Sequence, residues 1–408
     1  MKIKISILAF AIAFSSNAWA DLDKGITDYQ QGNYQAAYKE FSPAAMQGDP
    51  KAEYVLGVMY YNGQGVPKDQ QKAQELISKA ANQGFARAQT FLGIMALIRG
   101  ETHDLKEAMN WFQKGAEQGD PQAQVGIGVM FEDGKGVPQN FQQAVNWYQK
   151  AADQGYVLGQ YNLGYMHQAG KGVSKNESTA ADWYRKAADQ GYDKAQLELG
   201  YLYDYGKGVP QNREEAAKWY AKAAQQGSPI AQYNMALLYI AGEGVPKDDG
   251  MARNWLQKAA EQNDALSQLE LGYLYDSGRG GPQDLGKAFN WYQKSALQNQ
   301  PIAQYNVGHM YLRGEGVTKD YTKAAEWIGK AAQHGYAKGQ YLLGLMYRDG
   351  IGVSQNPSQA YAWLNVAVAN GFSNARTSRD EIGKTLTTPQ LREGQRLAKK
   401  YYQEFKKE

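Results

Sequence analysis

The sequence contains no cysteine among its 408 residues. That absence excludes disulfide bonds, thiolate metal sites, thiol nucleophiles and a lipid anchor attached through a cysteine. An excess of charge is also lacking, because 44 basic and 41 acidic residues leave a net charge of +3. A chain so close to neutrality gives no reason to expect nucleic acid or an anionic membrane as a partner. Disorder is excluded as well, since 43% of the residues are hydrophobic and 12% are aromatic.

Long hydrophobic runs are missing too, and the one apolar stretch lies at the start, in "MKIKISILAFAIAFSSNAWA". Lys2 and Lys4 form a basic beginning, residues 5–14 an apolar stretch, and Ala18-Trp19-Ala20 a small-x-small cleavage site. The apolar stretch is too short to span a bilayer. These features predict a secretory signal peptide over residues 1–20, cleaved after Ala20, and a mature protein in the periplasm or secreted.

An internal repeat dominates the rest of the chain. From Asp49 the sequence restarts about every 36 residues, which gives nine units that end at Gly371. In the second half of each unit an alanine is followed after three residues by tryptophan (in eight units), then directly by an apolar or aromatic residue, and three positions later by a small one. This i, i+3, i+4, i+7 spacing puts all four on one helical face and predicts a buried core.

The first half of each unit also reads as a helix, and eight of the nine units carry a glycine inside it. Glycine in a helix costs about 1 kcal/mol relative to alanine, so its recurrence predicts a close approach of two helices. We expect the tryptophan of the second helix to fill the space that the glycine creates.

The glycine loops between the two halves, such as "GKGVPQN" at Gly134–Asn140, contain neither GxxxxGK[ST] nor GxGxxG, so nucleotide binding is not predicted. The first glycine suits the left-handed residue that ends a helix, and the final Asp or Asn is a good N-cap for the next helix. One loop is shortened to "RGETHD" at Arg99–Asp104 and still supplies Asp104 as a predicted N-cap. The loops are therefore interpreted as joints between helices.

The stretches "AQYNLGYMHQAGKGV", "AEYVLGVMYYNGQGVPKD" and "AVNWYQKAADQG" resemble the Sel-one-like repeats, which are relatives of the tetratricopeptide repeat. The resemblance covers residues 49–371 and implies an all-α fold, a right-handed superhelical α-solenoid of about ten helix-turn-helix repeats of 36 residues. Residues 21–48 are predicted as an N-terminal capping helix pair, with Asn33 as an N-cap and Pro43 kinking or breaking the second helix. Residues 372–408 are predicted as a C-terminal capping segment whose last helix has Thr388 as its N-cap.

Chemical motifs are sparse. The four histidines fall at different repeat positions and form neither an H-x-x-x-H nor an H-E-x-x-H pattern; they are His103, His167, His309 and His334. G-x-S-x-G and S-x-x-K are absent, which gives no support to a serine hydrolase. We therefore predict no catalytic residues, no metal site and no cofactor.

One stripe of the first helix is rich in tyrosine, and its third member varies between acid, base, polar and apolar residues. By resemblance to tetratricopeptide arrays, this stripe lines a concave groove, where tyrosine offers a large contact area with a polar tip. The alternative is that the tyrosines pack between neighbouring units. The candidate groove residues are Tyr161, Tyr165, Tyr201, Asp204, Tyr233, Tyr273, Asp276, Tyr305, His309, Tyr341 and Arg348.

These observations predict a non-catalytic scaffold or adaptor, in the bacterial envelope or secreted, that binds a protein or an extended peptide in its groove. We expect no nucleic-acid partner and no stable membrane insertion, and a monomer is the simplest oligomeric state. Two alternatives remain open: a module that binds peptidoglycan or another glycan, and a hydrolase of cell-wall or β-lactam substrates.

Overall fold

The computed structural model describes residues 22–405, which fold into twenty-two helices and no strand. The predicted signal peptide lies outside the described residues. The helices are α1 Asp23–Gln30, α2 Tyr34–Met46, α3 Pro50–Asn62, α4 Gln70–Asn82, α5 Ala86–Arg99, α6 Thr102–Glu117, α7 Pro121–Asp133, α8 Phe141–Asp153, α9 Val157–Ala169, α10 Glu177–Asp189, α11 Asp193–Tyr205, α12 Arg213–Gln225, α13 Pro229–Ala241, α14 Asp249–Glu261, α15 Ala265–Ser277, α16 Leu285–Leu297, α17 Pro301–Arg313, α18 Tyr321–Gln333, α19 Ala337–Asp349, α20 Pro357–Ala369, α21 Ala375–Thr385 and α22 Thr388–Phe405. Among the described residues, none of these helices is long and apolar enough to cross a membrane.

Each odd-numbered helix from α3 to α19 is the first helix of a hairpin, and the next helix in the chain is its second. Within the chain there are two compact units: residues up to Ala195 together with Lys207–Pro210, and Gln196–Gly206 together with residues from Gln211 onward. The predicted all-α fold of tandem helical repeats is thus confirmed.

The loops end one helix and start the next as predicted. Gly134 adopts a left-handed conformation (φ 68°) at the end of α7, and the side chain of Asn140 accepts a hydrogen bond from the backbone N–H of Gln143 at the start of α8. The equivalent Asp or Asn caps α4 and each second helix from α8 to α20 in the same way. A short polar side chain at this point satisfies a backbone donor that the helix leaves unpaired.

Two predicted N-caps, Asp104 and Thr388, are wrong. Asp104 lies inside the first turn of α6, which starts at Thr102 after Glu101, so it is not the N-cap. Asn33 is the N-cap of α2 as predicted, although its side chain makes no capping hydrogen bond. Helix α2 continues through Pro43 to Met46, so the proline does not break it. The cap of α22 is Thr387, one residue earlier than expected, since its side chain accepts from the N–H of Gln390 at 3.5 Å.

The residue that fills the notch beside the helical glycine is the one after the tryptophan. A Cβ added at Gly272 would lie 2.6 Å from the ring of Tyr292, and one at Gly93 would lie 2.7 Å from the ring of Phe112. Both aromatic side chains are buried. The expectation that tryptophan fills this space is therefore wrong. Seven of the eight tryptophans of the second helices instead lie beside a lysine three residues later, as with Lys222 Nζ at 3.7 Å from the centroid of a Trp219 ring.

Neighbouring hairpins are joined by a row of buried glutamines that the sequence argument did not single out. Gln232 of α13 donates to the carbonyl oxygen of Ala224 at 3.0 Å and accepts from Gln262, at the end of α14, at 2.9 Å. The same bonds recur for Gln268, which donates to Ala260 at 3.1 Å. Gln232 and Gln268 thus each bond the last turn of the preceding hairpin as well as the end of their own, so their buried amide groups are paired.

The second glycine of each full loop is a contact between hairpins. It lies against the first turn of the preceding second helix, so close that a Cβ would clash with that helix; at Gly136 the added atom would lie 2.9 Å from the Cβ of Leu105. The pairs are Gly65 with Tyr34, Gly136 with Leu105, Gly172 with Phe141, Gly208 with Glu177, Gly244 with Arg213, Gly280 with Asp249, Gly316 with Leu285 and Gly352 with Tyr321. Glycine is required here because another hairpin occupies the space of a side chain.

Candidate binding surface on the first helices

The tyrosines at the first position of the predicted stripe pack against the next hairpin. The ring of Tyr161 lies 5.1 Å from Tyr192, Tyr305 lies 5.3 Å from Tyr336, and Tyr341 lies 5.1 Å from Phe372. In each pair the second ring belongs to the residue just before, or close before, the next helix. All three tyrosines are half-buried, so they stabilise the contact between hairpins while keeping part of the ring in solvent.

The second position is more open. Tyr273 is 48% exposed, whereas Tyr165 is half-buried and accepts a hydrogen bond from Lys171 Nζ at 3.0 Å. The ring of Tyr201 lies 4.7 Å from that of Tyr205 on the same helix. These side chains therefore differ in exposure although they occupy the same repeat position.

The third position carries polar groups that are paired within their own hairpin. Asp204 accepts from Arg213 Nε at 3.4 Å, and Asp276 accepts from the hydroxyl of Tyr292 at 3.3 Å. Arg348 donates two hydrogen bonds of 2.8 Å to its neighbour Asp349, and these bonds raise the pKa of the arginine. The variation in residue type at this position is thus explained at least in part by hydrogen bonds and ion pairs within each hairpin.

Tyr233 and His309 complete the predicted set, and both are half-buried. Burial raises the pKa of the Tyr233 hydroxyl, so the phenol is protonated at neutral pH. Burial, followed by the charge of Arg313, lowers the pKa of His309, whose ring stacks on Tyr305 at 5.8 Å. The uncharged imidazole therefore adds an aromatic surface rather than a cation at neutral pH.

Three aliphatic residues that the sequence argument did not name extend this surface. Ile230, Leu266 and Ile302 occupy the same repeat position near the start of α13, α15 and α17, and they are 54%, 45% and 45% exposed. They precede the first and second stripe positions by three and seven residues, a spacing that places all three on one side of a helix. The sequence signal was an Ile or Leu as the third residue of three consecutive units, in "SPIAQ", "DALSQ" and "QPIAQ".

We call this surface the first-helix face. It consists of Ile230, Tyr233 and Leu237 on α13, Leu266, Leu269 and Tyr273 on α15, and Ile302, Tyr305 and His309 on α17. Asn234 and Asn306 lie three residues before Leu237 and His309, so amide groups flank the apolar side chains. Glu270 holds the same position on α15, where burial raises the pKa of its carboxyl group and the charge of Arg279 partly offsets that effect.

A cluster of possible metal ligands lies elsewhere, at the start of α6. Ligand atoms of His103, Asp104 and Glu107 lie within 4.8 Å of one another. Arg99 already pairs with both carboxylates, through Nε to Asp104 at 3.0 Å and through a terminal nitrogen to Glu107 at 3.1 Å. These ion pairs account for the two carboxylates without a metal ion.

Nine consecutive segments of the chain match the Sel1 repeat, at residues 50–85, 86–120, 121–156, 157–192, 193–228, 229–264, 265–300, 301–336 and 337–372. The chain belongs to the Sel1 repeat family. Members of this family are generally scaffolds for protein–protein interactions and are typically non-catalytic.

Solved structures of Sel1 repeat proteins resemble this chain over most of its length. One is c5321, a protective antigen present in uropathogenic Escherichia coli strains, with 36% identity, a TM-score of 0.50 and coverage of 95% of this chain and 92% of that one. Another is a Sel1 repeat protein from Oxalobacter formigenes, with 33% identity, a TM-score of 0.60 and coverage of 76% and 90%.

A curated relative from Rattus norvegicus, DAP3-binding cell death enhancer 1, is 29% identical over 172 residues. The match covers 33% of this chain and 32% of that protein, so this Sel1 chain spans about a third of the relative's length.

Proposed function

We propose that this Sel1 repeat protein is a non-catalytic scaffold that binds an extended segment of another protein on its first-helix face. The observation that carries the proposal is the exposure of Ile230, Leu266 and Ile302 at one repeat position of three consecutive hairpins. A contiguous exposed apolar surface with polar neighbours is typical of an interaction site.

The energetics fit a segment that contacts several hairpins at once. Fully burying an aliphatic side chain contributes about 1.5–3 kcal/mol, so covering the exposed half of each of these three supplies about 1 kcal/mol apiece. Tyr273 adds a larger apolar area with a hydroxyl that can pair with the partner. Contributions of this size, summed over three hairpins, give selective binding without a deep pocket.

An extended segment suits the face because the same chemistry recurs on each hairpin. A chain without secondary structure leaves its backbone N–H and C=O groups unpaired, and the amides of Asn234 and Asn306 can both donate and accept. The side chains of such a segment can then lie on successive hairpins in turn.

The aliphatic residues favour a protein over a glycan as the ligand. Sugar rings stack on aromatic faces, whereas Ile230, Leu266 and Ile302 offer none. A glycan would leave these three side chains largely uncovered, while apolar side chains of a protein segment bury them.

The test is a selection of peptides from a random library on immobilised residues 21–408, followed by calorimetric measurement of the affinity of the best peptide. We expect replacement of Ile230, Leu266 and Ile302 by serine to weaken binding at least about tenfold, which corresponds to about 1.4 kcal/mol. The matched control is Leu297→Ser, because Leu297 is 68% exposed at the end of a second helix and lies off the face.

Equal affinity of both variants for the peptide would contradict the proposal. So would failure to select any peptide together with saturable binding of peptidoglycan fragments, because that result favours the glycan alternative.

We also propose that the protein is exported and begins at Asp21 after cleavage. The basic start, the apolar stretch and the Ala18-Trp19-Ala20 site support this. The similar c5321 is a protective antigen, and an exported protein fits such a role. Intact mass of the protein from the periplasmic fraction of a bacterial host should correspond to residues 21–408; a full-length mass would contradict export.

A further inference from the structure

In most hairpins the loop between the two helices covers the start of the second helix of the preceding hairpin. The loop between α5 and α6 is too short to do so. Only Gly100 and Glu101 connect α5 to α6, whereas seven residues connect α3 to α4. A Cβ added at Gly100 would meet only its own helix, with the carbonyl oxygen of Ile98 at 3.7 Å. Within residues 22–405, α4 is therefore the one second helix whose first turn receives no glycine from another segment.

The other second helices show what normally lies there. The second loop glycine meets the first turn of α2, α6, α8, α10, α12, α14, α16 and α18. At α20, where the repeats end, Gly394 of α22 takes its place; a Cβ there would lie 3.1 Å from the carbonyl oxygen of Ser358.

The valine after the second glycine makes the apolar part of this contact. Val137 packs in one cluster with Leu105 of α6, Met130 of α7 and Trp147 of α8. Val173, Val245, Val317 and Val353 are likewise packed against hydrophobic clusters that include residues of the preceding second helix. A left-handed glycine followed by valine is thus the usual occupant of this site, with Gly280-Gly281 as an exception.

At α4 the site is an open cleft. It has a volume of about 320 Å³, and its lining includes Gln70, Met95 and Trp111, which correspond by repeat position to Leu105, Met130 and Trp147. Ala73, Ile77 and Leu92 form its apolar floor. The residues that cluster with Val137 in the next hairpin therefore have counterparts here, but within residues 22–405 no valine lines the cleft.

We propose that this cleft binds a loop segment of a partner protein that carries a left-handed glycine followed by valine or a side chain of similar size, in place of the missing loop. A second copy of this chain is a poor source of such a segment, because its own Gly-Val loops at the described joints already cover its own second helices. The cleft is lined by residues of α3, α4, α5 and α6, none of which belongs to the first-helix face, so the proposal does not depend on that face.

The probe is a synthetic peptide with the sequence of residues 134–141, GKGVPQNF, blocked at both ends, added to residues 21–408 labelled with ¹³C at the methionine methyl groups. The Met95 signal, assigned with Met95→Leu, should shift in a saturable way, with half-saturation in roughly the millimolar range expected of so short a fragment. A peptide with aspartate in place of the valine should leave the signal unchanged.

Two variants close the cleft in different ways. Gln74→Trp places a large ring at its rim and should abolish the shift. Replacing Arg99–Asp104 by GKGVPQN restores the loop in the register of the next hairpin and should abolish the shift while raising the melting temperature. Gln74→Trp serves alone should that variant not fold.

The proposal is overturned by any of three results: no shift of Met95, an equal shift with the aspartate peptide, or a shift that persists in Gln74→Trp. Self-association without peptide that Gln74→Trp removes would also overturn it, because a second copy would then occupy the cleft. These variants lie away from α13, α15 and α17, so we expect them to leave peptide binding to the first-helix face unchanged. Either proposal can therefore be contradicted without the other.

Discussion

The tryptophans of the second helices are covered by other side chains, whereas some large apolar side chains of the first helices are exposed. On the second helices, a lysine lies over each of seven tryptophans, with Nζ 3.7–4.4 Å from the ring centroid. The eighth, Trp363, is covered by Tyr401 of α22 in a stacked contact of 4.4 Å. On α13, α15 and α17, by contrast, Ile230, Leu266 and Ile302 are left uncovered.

This difference shows which apolar groups serve the fold and which are available to a partner. A cation over an aromatic face is a favourable contact within the chain, so the tryptophans are already occupied. The aliphatic side chains of the first-helix face are exposed to water at a cost in free energy, which a bound partner would remove.

The largest effect should separate the buried ring of a second helix from an exposed ring of a first helix. Tyr220 is 1% exposed and fills the notch at Gly200, so Tyr220→Ala should lower the free energy of unfolding by about 3–5 kcal/mol. Tyr273→Ala, at an exposed site, should change it by no more than about 0.5 kcal/mol. Urea unfolding measures both; similar losses would mean that the tyrosines of the first-helix face are structural.

The next effect tests whether the loop is a contact between hairpins. Gly244 has a left-handed φ of 72° and lies against the carbonyl group of Arg213. Gly244→Ala therefore combines a left-handed alanine with a clash and should lower the free energy of unfolding by about 3 kcal/mol. Gly100→Ala has the same backbone requirement but open space, and should cost about 1 kcal/mol. Equal losses in thermal unfolding would contradict the role of the second glycine.

A smaller effect comes from an ion pair across one such joint. Arg279 of the loop donates to Asp249 at the start of the preceding second helix, with distances of 2.8 and 2.6 Å. These hydrogen bonds lower the pKa of Asp249 below its ordinary value of 3.8, so the stabilisation is present above that pH and is lost as the pH falls through the lowered pKa.

At pH 7, Asp249→Asn should therefore reduce stability by about 1 kcal/mol, and the difference from wild type should shrink as the pH falls below about 4. The control is Asp133→Asn, because Asp133 pairs with Lys135 within one hairpin and both side chains are more exposed. A difference from wild type that is constant between pH 7 and pH 2 would contradict the pairing of Asp249.

The smallest effect concerns the lysines themselves. Lys222→Ala should uncover Trp219 and cost about 0.5–1 kcal/mol, whereas Lys222→Arg keeps a cation over the ring and should restore most of it. Thermal unfolding measures both variants. No difference between alanine and arginine would mean that the cation does not stabilise the ring.

Much of the fold is predictable because its signals are local. The left-handed glycine and the capping Asp or Asn are read within seven residues, and the one-sided spacing of Ala144, Trp147 and Tyr148 is read within one helix. These patterns define each hairpin without any knowledge of its neighbours.

Contacts between elements are what the sequence leaves open. Trp147 and Tyr148 are adjacent and both aromatic, and only the packing of α7 on α8 decides that Tyr148 faces Gly128. The contact of Gly136 with Leu105 joins residues far apart in the chain, so the spacing within one hairpin does not reveal it.

The candidate site was predicted in the same partial way. The tyrosine stripe follows from the repeat, yet contacts such as that of Tyr161 with Tyr192 depend on the next hairpin. Ile230 was missed because an isoleucine near a helix start is buried or exposed according to what packs on it, and here nothing in the described chain covers it.

The most direct measurement of the central claim is photo-crosslinking at two matched positions. Leu237 of the first-helix face is 37% exposed, and Met251 on the second helix α14 is 38% exposed. With p-benzoylphenylalanine at one position or the other, the selected peptide should crosslink to position 237 and not to position 251. Crosslinking at 251 alone, or equally at both, would contradict binding on the first-helix face.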